Sequence, residues 1–265
     1  MTESPDQRKE RLLRVRKPPP PFGVVTVVNR AEVSPRLLRL TLEGEVLRGW
    51  EVPQPASSMR MVVPWTGEEL ELPDWNGNEF LLADGRRPAL RTFTPLRVDG
   101  AAGRLDVEVV RHPGGAVSGW AEQADVGSVA ALSGPGTGYD YPDGAERLLV
   151  LGDETALPAI TQLIETAPAG MSLDVHVEVV TSDARVQLPT ADRCTVTWYD
   201  TEAGEVPGQR LAAVVSALEA LPNGTDLWAA GEASAMQAIR IHLFKTLGVE
   251  RSRGTVRGYW KPERA

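Results

Sequence analysis

The hydrophobic pattern of the chain changes near residue 144, and this change limits the folds open to it. Before that point, short apolar or alternating runs separated by Gly and Pro clusters predict six strands, at 22–31, 36–43, 59–64, 90–97, 104–111 and 128–133. Six strands with almost no helix are typical of a small antiparallel barrel. The run Leu105-Asp106-Val107-Glu108-Val109 shows the clearest alternation of apolar and acidic residues.

After residue 142 the pattern becomes strands interleaved with helices. Strands are predicted at 148–151, 173–180, 194–199, 226–230 and 255–260, and helices at 157–165, 209–220 and 233–247. Such alternation predicts a mostly parallel sheet with crossover helices. The predicted fold class is therefore β plus α/β, with an arm at 1–21, a six-stranded antiparallel barrel at 22–143 and an α/β domain at 144–265.

Composition and charge exclude several classes of function. A net charge of −8 argues against nucleic-acid binding, which depends on clustered Lys and Arg. The single cysteine, Cys194, cannot form an internal disulfide, and we read it as a packed, inert thiol. Without a signal peptide or an apolar run long enough to span a membrane, the chain is expected to be a cytoplasmic protein with no membrane insertion. We also expect a monomer.

The first twenty residues are basic and end in a proline run at 18–21, which favours an extended conformation. We interpret this segment as a solvated arm outside the fold. The six basic side chains are Arg8, Lys9, Arg11, Arg14, Arg16 and Lys17.

One predicted strand carries a group of residues suited to an aromatic, phosphorylated ligand. In Arg91-Thr92-Phe93-Thr94-Pro95, alternate positions place the guanidinium of Arg91 and the ring of Phe93 on one face. A guanidinium binds phosphate, an aromatic ring provides a stacking surface, and Thr94 adds a hydroxyl. Taken by itself, Phe93 is better interpreted as an aromatic residue of the barrel core.

Two strand ends in the α/β half lead into helices through small or polar residues. Gly152-Asp153-Glu154-Thr155 follows the first strand, and Gly231-Glu232-Ala233-Ser234 follows the fourth. Ligands of open α/β sheets bind beyond such ends, where helix amides can receive phosphate. Each stretch is equally consistent with an ordinary turn, with Thr155 and Ser234 as helix caps.

A glycine-containing turn at 114–118 is the better of two candidate phosphate loops. The stretch Gly114-Gly115-Ala116-Val117-Ser118 precedes a helix start near Trp120, so its amides can meet an anion. The stretch 134–138 is richer in glycine, but turn residues follow it instead of a helix. We interpret 134–138 as a connection between the domains.

Other chemistries lack their residues. The three histidines, His112, His176 and His242, fall in different elements, so no metal-ligand spacing appears. The chain has neither a Gly-x-Ser-x-Gly elbow nor a lysine-ended phosphate loop.

These motifs together resemble the siderophore-interacting protein family, which comprises FAD-dependent ferric-siderophore reductases of the ferredoxin reductase-like superfamily. The resemblance runs from about residue 22 to 260 and rests on five stretches, namely 91–95, 112–121, 152–160, 228–232 and 258–261. It implies an FAD-binding barrel at 22–143 and an NAD(P)H-binding-like domain at 144–265. It also implies a relay in which NADH or NADPH gives a hydride to FAD and single electrons pass to Fe(III) held by a siderophore, which frees the iron for assimilation.

The resemblance assigns roles to particular residues. Arg91 would bind the FAD pyrophosphate, Phe93 would lie against the isoalloxazine ring, and Thr94 would offer its hydroxyl to the reactive flavin nitrogen as the catalytic residue. Lys261 is the candidate siderophore contact, although a solvated terminal lysine is an equal alternative. The remaining candidate cofactor-binding residues are Thr92, His112, Gly115, Ala116, Val117, Ser118, Asp153, Glu154, Thr155, Ala156, Gly231, Glu232, Tyr259 and Trp260.

The chain departs from the family pattern at several positions. The family usually has tyrosine where Phe93 stands and arginine where Leu96 stands, and the stretch from His112 to Ser118 is one residue shorter. Two alternatives therefore stay open, namely another flavin reductase with a protein or small-molecule acceptor, and a non-enzymatic module that binds FAD or siderophore.

Overall fold

The structure is a computed structural model that describes residues 20–202 and 204–262. The predicted basic arm at 1–21 lies outside the described residues, apart from its last two positions.

The first half of the chain forms an antiparallel sheet of seven strands, a separate two-stranded pair, one α-helix and a short 3-10 turn at Glu45–Leu47. Its elements are β1 (Gly23–Ser34), β2 (Leu37–Glu43), β3 (Met59–Val63), the short pair β4 (Asp74–Trp75) and β5 (Phe80–Leu81), β6 (Ala89–Phe93), β7 (Leu96–Asp99), β8 (Arg104–Val110), α1 (Ala116–Gln123) and β9 (Val129–Ser133). The strand order is β6-β3-β9-β1-β2-β8-β7, while β4 and β5 pair only with each other. The predicted antiparallel barrel architecture is confirmed.

The predicted strand at 90–97 breaks in two, so the sheet has seven strands instead of six. The break falls at Thr94 and Pro95, because proline has no N–H to donate to a ladder. Arg97, just beyond, has a positive φ of 43°. Since β6 and β7 lie at opposite edges of the sheet yet are joined by two residues, the sheet must curl until its edges meet.

The second half forms a parallel sheet covered by helices. Its elements are β10 (Arg147–Asp153), α2 (Leu157–Thr166), β11 (Ser172–Val179), β12 (Cys194–Asp200), α3 (Gln209–Ser216), β13 (Thr225–Glu232), α4 (Ala233–Ile241) and β14 (Gly254–Trp260). All four strand pairs are parallel, in the order β12-β11-β10-β13-β14. The predicted helix at 233–247 is shorter, because it passes into a π-helical turn at His242–Thr246.

The apolar run of β10 explains the layering of this domain. Leu148 and Val150 pack into one core cluster with α2, whereas Leu149 and Leu151 pack into another with α3 and α4. A strand buried on both faces reads as a continuous apolar run rather than an alternating one.

Buried polar contacts join the two domains. The amide of Gln162 in α2 donates from Nε2 to the Pro95 carbonyl at 2.7 Å, and its Oε1 accepts from the Ala56 N–H at 3.0 Å. Arg36, in the β1–β2 turn, donates from Nε to both carboxylate oxygens of Glu154, at 2.8 and 3.1 Å. These bonds hold the strand break at Pro95 directly against the α/β domain.

Candidate functional site

A cleft of about 550 Å³ lies between the barrel and the parallel sheet. This volume falls within the usual range for small-molecule and cofactor sites, roughly 300–1,000 Å³. Residues of β6, β8, α1, α4 and β14 and of the loops near them line it. They are Ser57, Ser58, Arg91, Thr92, Phe93, Thr94, Glu108, Val109, Val110, His112, Gly115, Val117, Ser118, Thr155, Pro158, Arg240, Val256, Arg257, Gly258, Tyr259 and Trp260.

The barrel contributes the whole of the stretch from Arg91 to Thr94. Arg91 is exposed, and within the part of the chain that the structure describes its side chain donates only to the neighbouring Leu90 carbonyl, from Nη1 at 2.8 Å. Phe93 is half-buried and packs against the barrel core, while Thr94 is 7% exposed. Since β6 is an edge strand, Thr92 also reaches the cleft. The guanidinium of Arg91 is therefore available to a ligand.

The first turn of α1 opens onto the same cleft. The helix begins at Ala116, directly after the N-cap Gly115, and not near Trp120 as the sequence pattern predicts. No side chain caps it, and the amides of residues 116–118 have no protein acceptor among the described residues. Uncapped amides at a positive helix end form an anion-binding site.

His112 and Ser118 fix the approach to this helix. The Ser118 hydroxyl oxygen accepts from the His112 backbone N–H at 3.0 Å. The His112 ring lies so close to Gly115 that a Cβ there would come within 2.2 Å of its Cε1. A larger residue at 115 would force the His112 ring to move, so glycine lets the ring pack against this turn.

The α/β domain contributes an aromatic wall at the end of β14. The Tyr259 ring packs edge-on against Trp228, with centroids 6.4 Å apart. Burial raises the pKa of Tyr259 to about 12, although Arg257 and a hydrogen bond with Thr94 oppose the rise. The phenol therefore stays protonated at neutral pH, and it lines the cleft together with Thr94 of the other domain.

Asp153 lies beneath this wall and joins the ends of three strands. Its Oδ1 accepts from the Thr155 N–H at 2.9 Å and from the Thr155 hydroxyl at 2.5 Å. Its Oδ2 accepts from the Glu232 N–H at 2.9 Å and from the Trp260 indole Nε1 at 2.7 Å. Burial raises the pKa of Asp153 to about 6, while the bonds from Thr155, Trp260 and Glu232 oppose that rise.

Several predicted cofactor residues do not line the cleft. Glu154 instead binds Arg36 across the domain boundary, and its Oε1 also accepts from the Val180 N–H at 2.7 Å. Glu232 caps α4 through its Oε2, and its buried Oε1 has no partner among the described residues. The other predicted cofactor residues outside the lining are Ala116, Asp153, Ala156 and Gly231, and the predicted siderophore contact, the exposed Lys261, is also outside it.

The structure also brings in residues that sequence reasoning missed. Arg240 donates from Nη2 to the Val256 carbonyl at 2.6 Å, which places it beside Arg257 along β14. Glu108 is buried and pairs with Arg39 on the neighbouring strand, with an Nε–Oε1 distance of 3.0 Å. The other missed residues are Ser57, Ser58, Val109, Val110, Pro158, Val256 and Gly258.

Charge and lining together indicate what the cleft can bind. Three guanidiniums, those of Arg91, Arg240 and Arg257, line it, and its one carboxylate, Glu108, is neutralised by Arg39. Within the described residues, no group of three His, Cys, Asp or Glu side chains could hold a metal ion. In the same residues no helix has the length and apolar character needed to cross a bilayer. The cleft suits an aromatic ligand that carries phosphate.

The arrangement of barrel, cleft and parallel sheet is that of the ferredoxin reductase-like class. A solved ferredoxin reductase of carbazole 1,9a-dioxygenase superposes with a TM-score of 0.66 over 92% of this chain and 71% of that one, at 16% identity. At that identity the likeness concerns the fold alone.

Two family matches together span most of the chain. Residues 26–139 match the siderophore-interacting FAD-binding domain, and residues 145–263 match the siderophore-interacting protein domain. The chain belongs to the siderophore-interacting protein family and is an FAD-binding protein.

Individual relatives agree with this assignment. The ferric vibriobactin reductase ViuB of Vibrio cholerae is 28% identical over 88% of this chain and 87% of its own length. The crystal structure of a siderophore utilization protein from T. fusca superposes with a TM-score of 0.81, at 31% identity, over 94% of this chain and 96% of that one.

Proposed function

We propose that this protein reduces ferric siderophores with electrons from NADH or NADPH that pass through FAD held in the cleft. The observation that carries the proposal is the meeting of the Arg91–Thr94 strand, the uncapped N-terminus of α1 and the Tyr259–Trp260 wall around one cleft. Family membership and the name of ViuB support the substrate class.

The residues present fit FAD. Arg91 and the first-turn amides of α1 would hold the pyrophosphate, because both offer hydrogen-bond donors and positive charge to one side of the cleft. Phe93 and Tyr259 offer the flat apolar surfaces that an isoalloxazine ring needs. FAD supplies the redox chemistry, since it takes up two electrons together and releases them singly.

Thr94 is the proposed catalytic residue. It is 7% exposed and lines the cleft together with Phe93 and Tyr259, and its hydroxyl is near enough to the Tyr259 phenol to lower the pKa of that group. Because that phenol stays protonated, the pair can donate or accept a hydrogen bond without gaining charge. The departure from tyrosine to Phe93 keeps the stacking surface and removes one polar group from it.

The donor and the siderophore would enter from different sides of the aromatic wall. The carboxyl ends of β10 and β13, with Thr155 beside the cleft, are the proposed nicotinamide side. Lys261 is exposed directly beyond Trp260 and is the proposed siderophore contact. Oxygen ligands bind Fe(III) far better than Fe(II), so reduction releases the metal.

The test is stepwise and anaerobic. The purified protein, loaded with FAD, is mixed with NADH and with NADPH separately, and flavin bleaching is followed. Ferric siderophore and a ferrous trap are then added. We expect bleaching by at least one nucleotide and a ferrous signal on addition of siderophore.

Each negative result has a distinct meaning. A protein that cannot be loaded with FAD would refute the proposal outright. Flavin that bleaches but is not reoxidised by ferric siderophore would indicate another acceptor. Bleaching only by a reduced protein donor would replace NAD(P)H as the electron source.

A further inference from the structure

Asp153 does not line the cleft, but two of the residues that donate hydrogen bonds to it do, namely Thr155 and Trp260. Asp153 itself is 7% exposed, Thr155 bonds to its Oδ1, and Trp260 bonds to its Oδ2. Asp153 and Trp260 are joined by the 2.7 Å bond from the indole Nε1 to Oδ2. An effect of Asp153 on a ligand in the cleft can pass through Trp260 or through Thr155, and of these two only Trp260 belongs to the aromatic wall.

The bonding around Asp153 leaves the indole little freedom. Four donors, from Thr155, Glu232 and Trp260, occupy its two oxygens. Hydrogen bonds to an ionised acceptor are roughly twice as strong as neutral ones. Donors after β10 and at the end of β13 thus fix the carboxylate, and the carboxylate in turn fixes the Trp260 indole at the end of β14.

The backbone is shaped to admit this carboxylate. Gly231 has a φ of +159°, and a Cβ at that position would lie 2.6 Å from Asp153 Oδ2. A side chain there would push the carboxylate away from the Trp260 indole. Glycine at 231 is therefore needed for the hydrogen bond between Asp153 and Trp260, and not for contact with a ligand.

We propose that Asp153 is a positioning residue that holds the Trp260 indole, and with it the Tyr259–Trp260 wall, in the orientation that FAD binds. This rests on the proposed function for the identity of the ligand. In this proposal Asp153 does not make the direct contact with the cofactor that the sequence predicts, but acts on it through the Trp260 indole. The wall is then preset before FAD arrives, which lowers the ordering cost of binding.

The first test needs no cofactor. In ¹⁵N-labelled protein free of FAD, the Trp260 indole N–H is identified as the resonance that Trp260→Phe removes, and its solvent exchange is measured. We expect slow exchange in the wild type and fast exchange in Asp153→Asn. A wild-type indole that exchanges like an exposed one would overturn the proposal, whatever the protein binds.

The second test is a double-mutant cycle on FAD affinity. Asp153→Asn and Trp260→Phe should each raise the FAD dissociation constant about tenfold, as expected for the loss of one hydrogen bond to a charged group. The double variant should be no weaker than the poorer single variant. Independent losses that multiply in the double variant would contradict action through the indole.

Matched controls separate positioning from general damage. Asp226→Asn changes a buried carboxylate at the other end of β13, and Trp198→Phe changes a tryptophan in β12, and neither residue lines the cleft. Both controls should leave FAD affinity within about twofold of wild type. If Asp153→Asn behaves like Asp226→Asn in folded protein, the proposal fails. A wild-type protein with a protected indole that binds no FAD would refute the proposed function and the role of the Tyr259–Trp260 wall in binding FAD. The hydrogen bond between Asp153 and the Trp260 indole would still be supported.

Discussion

The ion pair between Arg36 and Glu154 yields the sharpest prediction for stability. Arg36→Met leaves the Glu154 carboxylate, whose side chain is 8% exposed, with the Val180 N–H as its remaining donor. Stranding one member of a fully buried pair costs about 3–5 kcal/mol. Because the Arg36 side chain is 29% exposed, water screens part of the pair, and we expect about 2 kcal/mol.

That loss is readily measured. For a chain near this size, about 2 kcal/mol lowers the unfolding midpoint by about 4–8 °C. Differential scanning fluorimetry and urea titration of FAD-free protein provide the measurement. Arg87→Met, which removes an exposed partner of Glu79, is the control and should change the midpoint little.

The double variant provides the decisive comparison. Glu154→Gln removes the stranded charge and keeps an acceptor for the Val180 N–H, so Arg36→Met combined with Glu154→Gln should be more stable than Arg36→Met alone. Destabilisation by Arg36→Met no larger than that of the control, or a double variant worse than the single, would refute the reasoning. The pair would then contribute nothing to the contact between the domains.

Three further predictions follow from single sites. Arg91→Ala should raise the FAD dissociation constant about 10- to 100-fold in fluorescence titrations without moving the unfolding midpoint, because among the described residues its side chain bonds only to the Leu90 carbonyl. Equal affinity would contradict the phosphate role. Gly231→Ala should destabilise by about 1–3 kcal/mol in urea titrations, since its Cβ would meet Asp153, whereas Gly119→Ala, which meets open space, should not. The folded-state pKa of Asp153, about 6, lies above its unfolded value, so the carboxyl stabilises the fold at low pH and this stabilisation is lost as pH rises. The free energy of unfolding of wild type, relative to that of Asp153→Asn, should therefore fall by up to about 3 kcal/mol between pH 4 and pH 7. A difference that does not change with pH would contradict this.

Regular elements could be predicted from local pattern because one face or two faces of each are buried. The alternation at 105–109 became β8, and the apolar run at 148–151 became the central β10. The break between β6 and β7 could not be placed from hydrophobicity, since it depends on the sheet curling until its edges meet. Pro95 was the available signal.

Part of the candidate site could be predicted from the sequence, because several of the barrel residues that line it are neighbours in the chain. Residues 91–94 all line the cleft, whereas strand alternation predicts a shared face only for Arg91 and Phe93. The bond between Glu154 and Arg36 spans 118 positions in sequence, so a local motif could not reveal it. Arg240 and Arg257 likewise come together only because α4 packs on β14.

The measurement that bears most directly on the central claim is the yield of ferrous iron per bound flavin. Protein holding one FAD in the cleft is fully reduced, freed of excess donor and mixed anaerobically with ferric siderophore in the presence of a ferrous trap. The account predicts that flavin absorbance returns and that about two Fe(II) appear per FAD, since reduced FAD holds two electrons. Absorbance that stays bleached, with no trapped Fe(II), would contradict it.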